Sequence, residues 1–183
     1  MRTQRGFTLV ELLIGSALLV GGGGALLLGI CSATIHATYL QGFQVSLNAA
    51  QGQLEQLMAT PFDQLWANAQ ANPNGQCRGM GEDVNCNGLL DGGEDADGDG
   101  VLDTPLPGGR LAMQIRQPVE DQARNPGNPM LLDVHVAACW TSRGRSIGED
   151  KNCNGMLDAG EDANGNGWID SPVMMSTRVA RRD

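Results

Sequence analysis

Twice along this chain, short oxygen-bearing side chains fall at every second residue on the approach to a glycine. Asp83, Asn85, Asn87, Gly88, Leu89, Asp91 and Glu94 stand at positions 1, 3, 5, 6, 7, 9 and 12 of the pattern D-x-[DN]-x-[DN]-G-x5-E. Asp150, Asn152, Asn154, Gly155, Met156, Asp158 and Glu161 match it again. That spacing suits a hard divalent cation, Ca2+ above all. Alternate side chains wrap the ion in oxygen, glycine permits the sharp turn, residue 7 lends its carbonyl, and the last glutamate binds through both oxygens.

A partial match follows each full one. Asp95, Asp97, Asp99, Gly100, Val101 and Asp103 fill positions 1 to 9, as do Asp162, Asn164, Asn166, Gly167, Trp168 and Asp170. Position 12 is Leu106 or Val173, so these second loops lack the bidentate glutamate. They are expected to bind more weakly unless Asp103 or Asp170 closes the shell. Two to four Ca2+ ions are therefore expected. The loops belong to an ungapped internal repeat, residues 81–105 and 148–172, identical at about two-thirds of its positions. Their tandem spacing leaves no room for EF-hand helices. The modules resemble the helix-poor calcium repeats of thrombospondin type 3 and dockerin-like segments. Fourteen of the 21 acidic residues lie in them. Without a cation these acids repel one another, and the glycine-rich backbone has little reason to order.

One more carboxylate stands apart. Glu11 is the only formal charge between Phe7 and Cys31, in an apolar run longer than the roughly 20 residues that cross a bilayer. A charge there costs about 2.5–3.5 kcal/mol even on lenient insertion scales, so a partner is expected. The basic leader, residues 1–6, ends in glycine ahead of the apolar run, whereas an ordinary secretory signal is cleaved after it. The stretch Arg5-Gly6-Phe7-Thr8-Leu9-Val10-Glu11-Leu12-Leu13 resembles the class III signal of type IV pilins and type II secretion pseudopilins. The resemblance implies cleavage between Gly6 and Phe7 by a prepilin peptidase and N-methylation of the Phe7 amine by its N-methyltransferase activity. It also implies that Glu11 pairs with the N-terminal amine of a neighbouring subunit during assembly.

The elements that carry these residues follow from periodicity. Residues 7–31 form an apolar helix, and residues 32–66 continue it in amphipathic form, with Ile35, Tyr39, Phe43, Leu47, Ala50, Leu54 and Leu57 at spacings of three and four. Pro61 marks its end or a break. A helix from Phe7 to Thr60 would extend ~80 Å at 1.5 Å per residue. Gly21 to Gly24 each cost about 0.8–1.0 kcal/mol relative to alanine, so the expectation is either melting or bending there once subunits pack in a filament, or close helix–helix packing of small residues in a membrane. Residues 67–79 are polar and turn-rich.

Three runs, 110–117, 131–140 and 173–180, alternate like strands, with a Pro-Gly-Asn-Pro turn between the first two. Their inward faces are Leu111, Met113 and Ile115; Leu132, Val134, Val136 and Ala138; and Val173, Met175, Thr177 and Val179. The expected fold is α+β, a long N-terminal α-helix packed on a small antiparallel β-sheet head (residues 67–183) with two calcium-loop insertions. The second module is expected as a long tip between the last two strands. The resemblance implies the pilin fold. Residues 49–65 and the strand–Trp140–loop–strand ending are similar, more loosely, to PilV-type minor pilins.

Five cysteines beside an export signal point to an oxidising compartment. Cys86 and Cys153 hold position 4 of the two full loops. Local pairs Cys77–Cys86 and Cys139–Cys153 would staple each module at its base. Pairs Cys86–Cys153 and Cys77–Cys139 are the rival, and sequence does not fix connectivity. Cys31 is expected to be free.

A formal net charge of -9 argues against nucleic acid and anionic lipid surfaces as partners. No nucleophile–base pattern or phosphate loop is present, so a non-enzymatic chain is expected. The resemblance implies a single-pass protein of the inner (cytoplasmic) membrane that joins other pilin or pseudopilin subunits in a helical filament. The first expectation is a minor subunit of an extracellular type IV pilus (a fimbrium), its head stabilised by Ca2+ and disulfides. The alternatives are a periplasmic pseudopilus of type II secretion and a calcium-dependent cell adhesion protein displayed on a pilus.

Overall fold

The computed structural model describes residues 8–106, 108–142 and 144–182. Gly6 and Phe7, the expected processing site, lie outside the described residues. The chain divides into two units, Met1–Gln41 and Gly42–Asp183.

Helix α1 (Leu9–Ala59) supplies the described part of the first unit. No proline lies between Thr8 and Thr60, and the helix runs unbroken through Gly21–Gly24. The single chain thus keeps these glycines helical, and a Cβ added at any of them would meet nothing within 4 Å. Thr8 caps the helix, its Oγ1 accepting the Glu11 N–H at 3.3 Å. From Leu9 to Leu40 every side chain is exposed except Ile35, which is half-buried.

In the second unit α1 acquires a buried line: Gly42, Ser46, Ala50, Gln53 and Leu57. Ala50 and Leu57 of the expected line are buried, whereas Phe43, Leu47 and Leu54 give way to the residues before them, Gly42, Ser46 and Gln53. Small side chains form the centre of the contact, and Phe43, Leu47 and Leu54 flank it half-buried. The cause is close approach, since a Cβ on Gly42 would stand 3.0 Å from Trp140 Nε1. Pro61 does end α1, but the chain re-enters helix at once as α2 (Phe62–Ala71), which buries Leu65 and Ala69 one turn apart. The segment expected as turns therefore holds the second half of α2 and strand β1 (Gln76–Gly79).

The sheet has five strands rather than the expected three. It adds β1 and β4 (Arg145–Ile147) to β2 (Arg110–Arg116), β3 (Leu131–Ser142) and β5 (Met174–Ala180). All pairings are antiparallel, and β3 is central. It pairs β2 on one edge and, on the other, β5 along Leu131–Ala137 and β4 along Trp140–Ser142. The short helix α3 (Val119–Arg124) lies in the β2–β3 connection. The expected inward faces of β2 and β3 do form the core. Leu111, Met113, Ile115, Leu132, Val134, Val136, Ala138 and Trp140 meet Ala50 and Leu57 of α1 and Leu65 and Ala69 of α2.

The opposite face of the sheet is covered too. Ala112, Gln114, His135 and Ala137 are buried there because the second module folds back over them and is not a projecting tip. The Ile169 N–H donates to Gln114 Oε1 at 2.7 Å, and His135 Nε2 lies 3.1 Å from the Ile169 carbonyl oxygen. Trp168 stacks near His135 (5.1 Å between centroids) with the Arg116 guanidinium 4.5 Å over its ring. The Leu157 N–H donates to Asn74 O. Gly155, at φ +75°, lies so close to Cys77 that an added Cβ would fall 2.5 Å from the Cys77 Cα.

Asp121 knits α3 to the start of β3. Its carboxylate accepts from Gln117 Nε2, Asn125 Nδ2 and the Met130 and Leu131 amides. Desolvation pushes this carboxyl up, but the four hydrogen bonds outweigh it and hold the group below the usual carboxylate range. A depressed pKa stabilises the fold above the unfolded-state value, and that stability is lost as pH falls through the folded value. Asp121→Asn should therefore destabilise the head at neutral pH and flatten the acid limb of its stability curve, read by urea unfolding between pH 7 and 3. Ile169→Ala should cost about 2–5 kcal/mol in the same assay, the range for a buried isoleucine. A residue on a free tip would change stability by less than ~0.5 kcal/mol.

Candidate functional site

The four loops share one backbone scaffold, built by their own side chains. The position-1 aspartate accepts the N–H of the position-6 glycine in each: Asp83 from Gly88 (3.0 Å), Asp95 from Gly100 (3.1 Å), Asp150 from Gly155 (2.8 Å) and Asp162 from Gly167 (2.9 Å). Position 3 accepts the N–H of position 5: Asn85 from Asn87, Asp97 from Asp99, Asn152 from Asn154 and Asn164 from Asn166. Position 5 in turn accepts the N–H of position 7, which is Leu89, Val101, Met156 or Trp168. These bonds curl the chain so that the side chains at positions 3, 5 and 9 come together.

In three loops the amides at positions 3 and 5 both donate to the position-9 carboxylate, Asp91, Asp158 or Asp170. The loop starting at Asp95 has aspartates instead, and ligand oxygens of Asp97, Asp99 and Asp103 converge within 4.8 Å. The Asp103 carboxyl is pushed up, first by the charge on Asp99, then by desolvation and by Asp97, Glu82 and Asp95. Asp150 is also pushed up, mainly by burial. The position-12 glutamates reach back over their own loops: Glu94 accepts from Asn85 and Asp91 N–H, and Glu161 from Lys151 and Asp158 N–H.

Asp83 is 4% exposed. Its Oδ2 takes the Gly88 N–H and Arg110 Nη2 (3.2 Å), while Oδ1 is buried with no hydrogen-bond partner. An orphaned anionic oxygen at position 1 of a loop matching the calcium pattern fits a hard cation. Arg110 also donates to Cys153 O, so one guanidinium touches both modules.

Positions 4 and 6 of every loop are left-handed. Glycine takes both in the second loops (Gly98 and Gly100, Gly165 and Gly167), but position 4 of the first loops is Cys86 (φ 62°) or Cys153 (φ 53°). The two disulfides are the local pairs, Cys77–Cys86 (Cα–Cα 6.1 Å) and Cys139–Cys153 (5.5 Å), and Cys31 is free and exposed. Sequence spacing did not single out Glu82, Glu149, Arg110 or Asp121. The first two were legible in principle, because Gly-Glu-Asp opens all four loops, at 81–83, 93–95, 148–150 and 160–162.

At the other end of the chain, Glu11 lies exposed in the first turn of α1. Its carboxylate makes no hydrogen bond or ion pair among the described residues. Residues 1–20 match the prokaryotic N-terminal methylation motif. No curated protein and no solved structure matches the chain. The motif and the long apolar helix behind it support a pilin- or pseudopilin-type subunit, processed at its N-terminus and anchored by a single pass before assembly.

A left-handed non-glycine residue is strained by about 1–2 kcal/mol. In a Cys77→Ala background, where no disulfide forms, Cys86→Gly should thus be more stable than Cys86→Ala by about that amount in thermal unfolding.

Proposed function

We propose that this chain is a structural subunit of a type IV pilus, a minor pilin rather than the main fibre protein. It is held in the inner membrane by α1, trimmed after Gly6, methylated at Phe7 and drawn into a helical filament with other pilin subunits. In the growing filament Glu11 neutralises the terminal amine of a neighbour. The single observation that carries this is the methylation motif over residues 1–20, opening an apolar run to Cys31 whose one acid is Glu11.

The head is stabilised outside the membrane by the two disulfides and by Ca2+ in the modules. The full pattern matches, the shared loop scaffold and the orphaned Asp83 Oδ1 support the ion. Its role is structural, since extracellular calcium modules typically bind at about 10⁻⁴–10⁻³ M and stay loaded outside the cell.

Mass spectrometry of the native protein tests the processing step. The expected chain begins at N-methylated Phe7; one that begins at Met1 overturns the proposal. Glu11→Ala should leave the subunit in the membrane fraction and out of sheared filaments, while entry equal to the parent's counts against it. Confinement of the filament to the periplasm would move the assignment to a type II secretion pseudopilus.

A further inference from the structure

The second loop of each module lacks a glutamate at position 12, yet its geometry is closed by one. Glu82 stands immediately before the first loop of its module, 13 residues upstream of Asp95. Its Oε1 accepts the N–H of Ala96 at 2.8 Å and its Oε2 that of Asp103 at 2.9 Å. These are positions 2 and 9 of the second loop. Glu161 holds the same two amides of its own loop, positions 2 and 9. Glu94 holds positions 3 and 9. In the other module Glu149 accepts from Ala163 (3.3 Å) and Asp170 (3.2 Å), again positions 2 and 9 of the second loop.

The geometry points to Glu82 and Glu149 as the missing twelfth-position ligands, so that each module is a reciprocal two-ion unit for calcium-like cations. The glutamate before the first loop closes the second, and the glutamate that ends the first loop precedes the second. This rests on the calcium reading of the modules and extends it to the half-matched loops.

Two further observations point to a cation. A carboxylate oxygen of Glu82 lies within 4.8 Å of ligand oxygens of Asp95 and Asp97, although Glu82 is only 9% exposed. Beside it in the chain, Asp83 buries its orphaned Oδ1. Asp95 is half-buried and Asp97 exposed, but Glu82 and Asp83 are buried, and the Asp83 oxygen that Arg110 leaves unpartnered needs a counter-charge. The loop at Asp95 then gathers Asp95, Asp97, Asp99, Asp103 and Glu82, whereas the loop at Asp162 gathers Asp162, Asp170 and Glu149 with two asparagines. Affinity follows ligand charge, so the loop expected to be weak becomes the tightest of the four.

Trp168 occupies position 7 of the Asp162 loop and lends its carbonyl there, so its indole sensitises emission from Tb3+ bound in that loop. The full-length chain in detergent should give tryptophan-excited Tb3+ emission that Ca2+ displaces. Glu149→Gln should weaken Tb3+ binding by about 10–100-fold, a loss that even outer-shell partners can cause. Glu149→Asp, which keeps the charge but shortens the reach, should fall between. Glu82→Gln should lower the calorimetric Ca2+ count by one ion. Circular dichroism checks that each variant is folded, and the aspartate variant decides if the glutamine variant is not. A Tb3+ midpoint unmoved in folded Glu149→Gln overturns the inference. So does a parent that binds two Ca2+ ions with Trp168 silent, which leaves the calcium reading of the first loops intact. A parent that binds no Ca2+ at all overturns both.

Discussion

Carboxylates in a glycine-rich loop need backbone amides to hold them, because little else is within reach. Each module places its acids at the positions where a curled backbone presents N–H groups, and every loop is drawn together by the same position-1 to position-6 bond. A hydrogen bond to a charged group contributes about 1.5–3 kcal/mol. Against it stands repulsion between the carboxylates of one loop, screened by water where they are exposed. Which residues carry charge therefore decides how much repulsion a loop bears. Three loops reduce the repulsion internally: asparagines at positions 3 and 5 donate to the aspartate at position 9. The loop at Asp95 has no such relief, and the raised pKa of Asp103 is the sign of it.

The two modules are close copies set in different surroundings, and a few exchanged residues account for the difference. At positions 7 and 8 of the second loops, Val101 and Leu102 in one module become Trp168 and Ile169 in the other. Val101 is exposed, whereas Ile169 is buried against Ala112 and Ala137, with Trp168 between Arg116 and His135. One copy is thereby made part of the sheet's second face. The other is joined to the head by Arg110 on Asp83 and by Met80 and Leu106, both buried in the main core. Since Arg110 also reaches Cys153 O, order in one module bears on the other.

Much of this was legible from residue order because it depends on local spacing. Strand alternation gave the inward faces of β2 and β3, and Pro61 marked the end of α1. What was missed depends on distant contacts. Gln114 and His135 lie outside the inward faces read from alternation, and the return of Ile169, 55 residues beyond Gln114, buries them. The contact line of α1 slipped because large apolar residues draw attention, while the closest approach to Trp140 is made by Gly42. Strands β1 and β4 are four and three residues long, too short to show a period. Glu82 and Glu149 escaped because the loop pattern looks forward for its last ligand, and the chain supplies it from behind.

The change in α1 between Gln41 and Gly42 is itself an argument about its surroundings. Past that point the helix has one buried line and polar neighbours, as a helix covering its own core should. Before it, twelve large apolar side chains between Leu9 and Ile30 are each more than half exposed in the lone chain. Leaving an aliphatic side chain in water forfeits about 1.5–3 kcal/mol. Twelve of them forfeit roughly 20–35 kcal/mol on that scale, beyond the ~5–15 kcal/mol by which a domain is stable at all. Water is an unfavourable resting medium for that segment. Hydrocarbon or the apolar flanks of other subunits suit it, and in either medium Glu11 is the one side chain from Phe7 to Cys31 that brings a formal charge needing compensation.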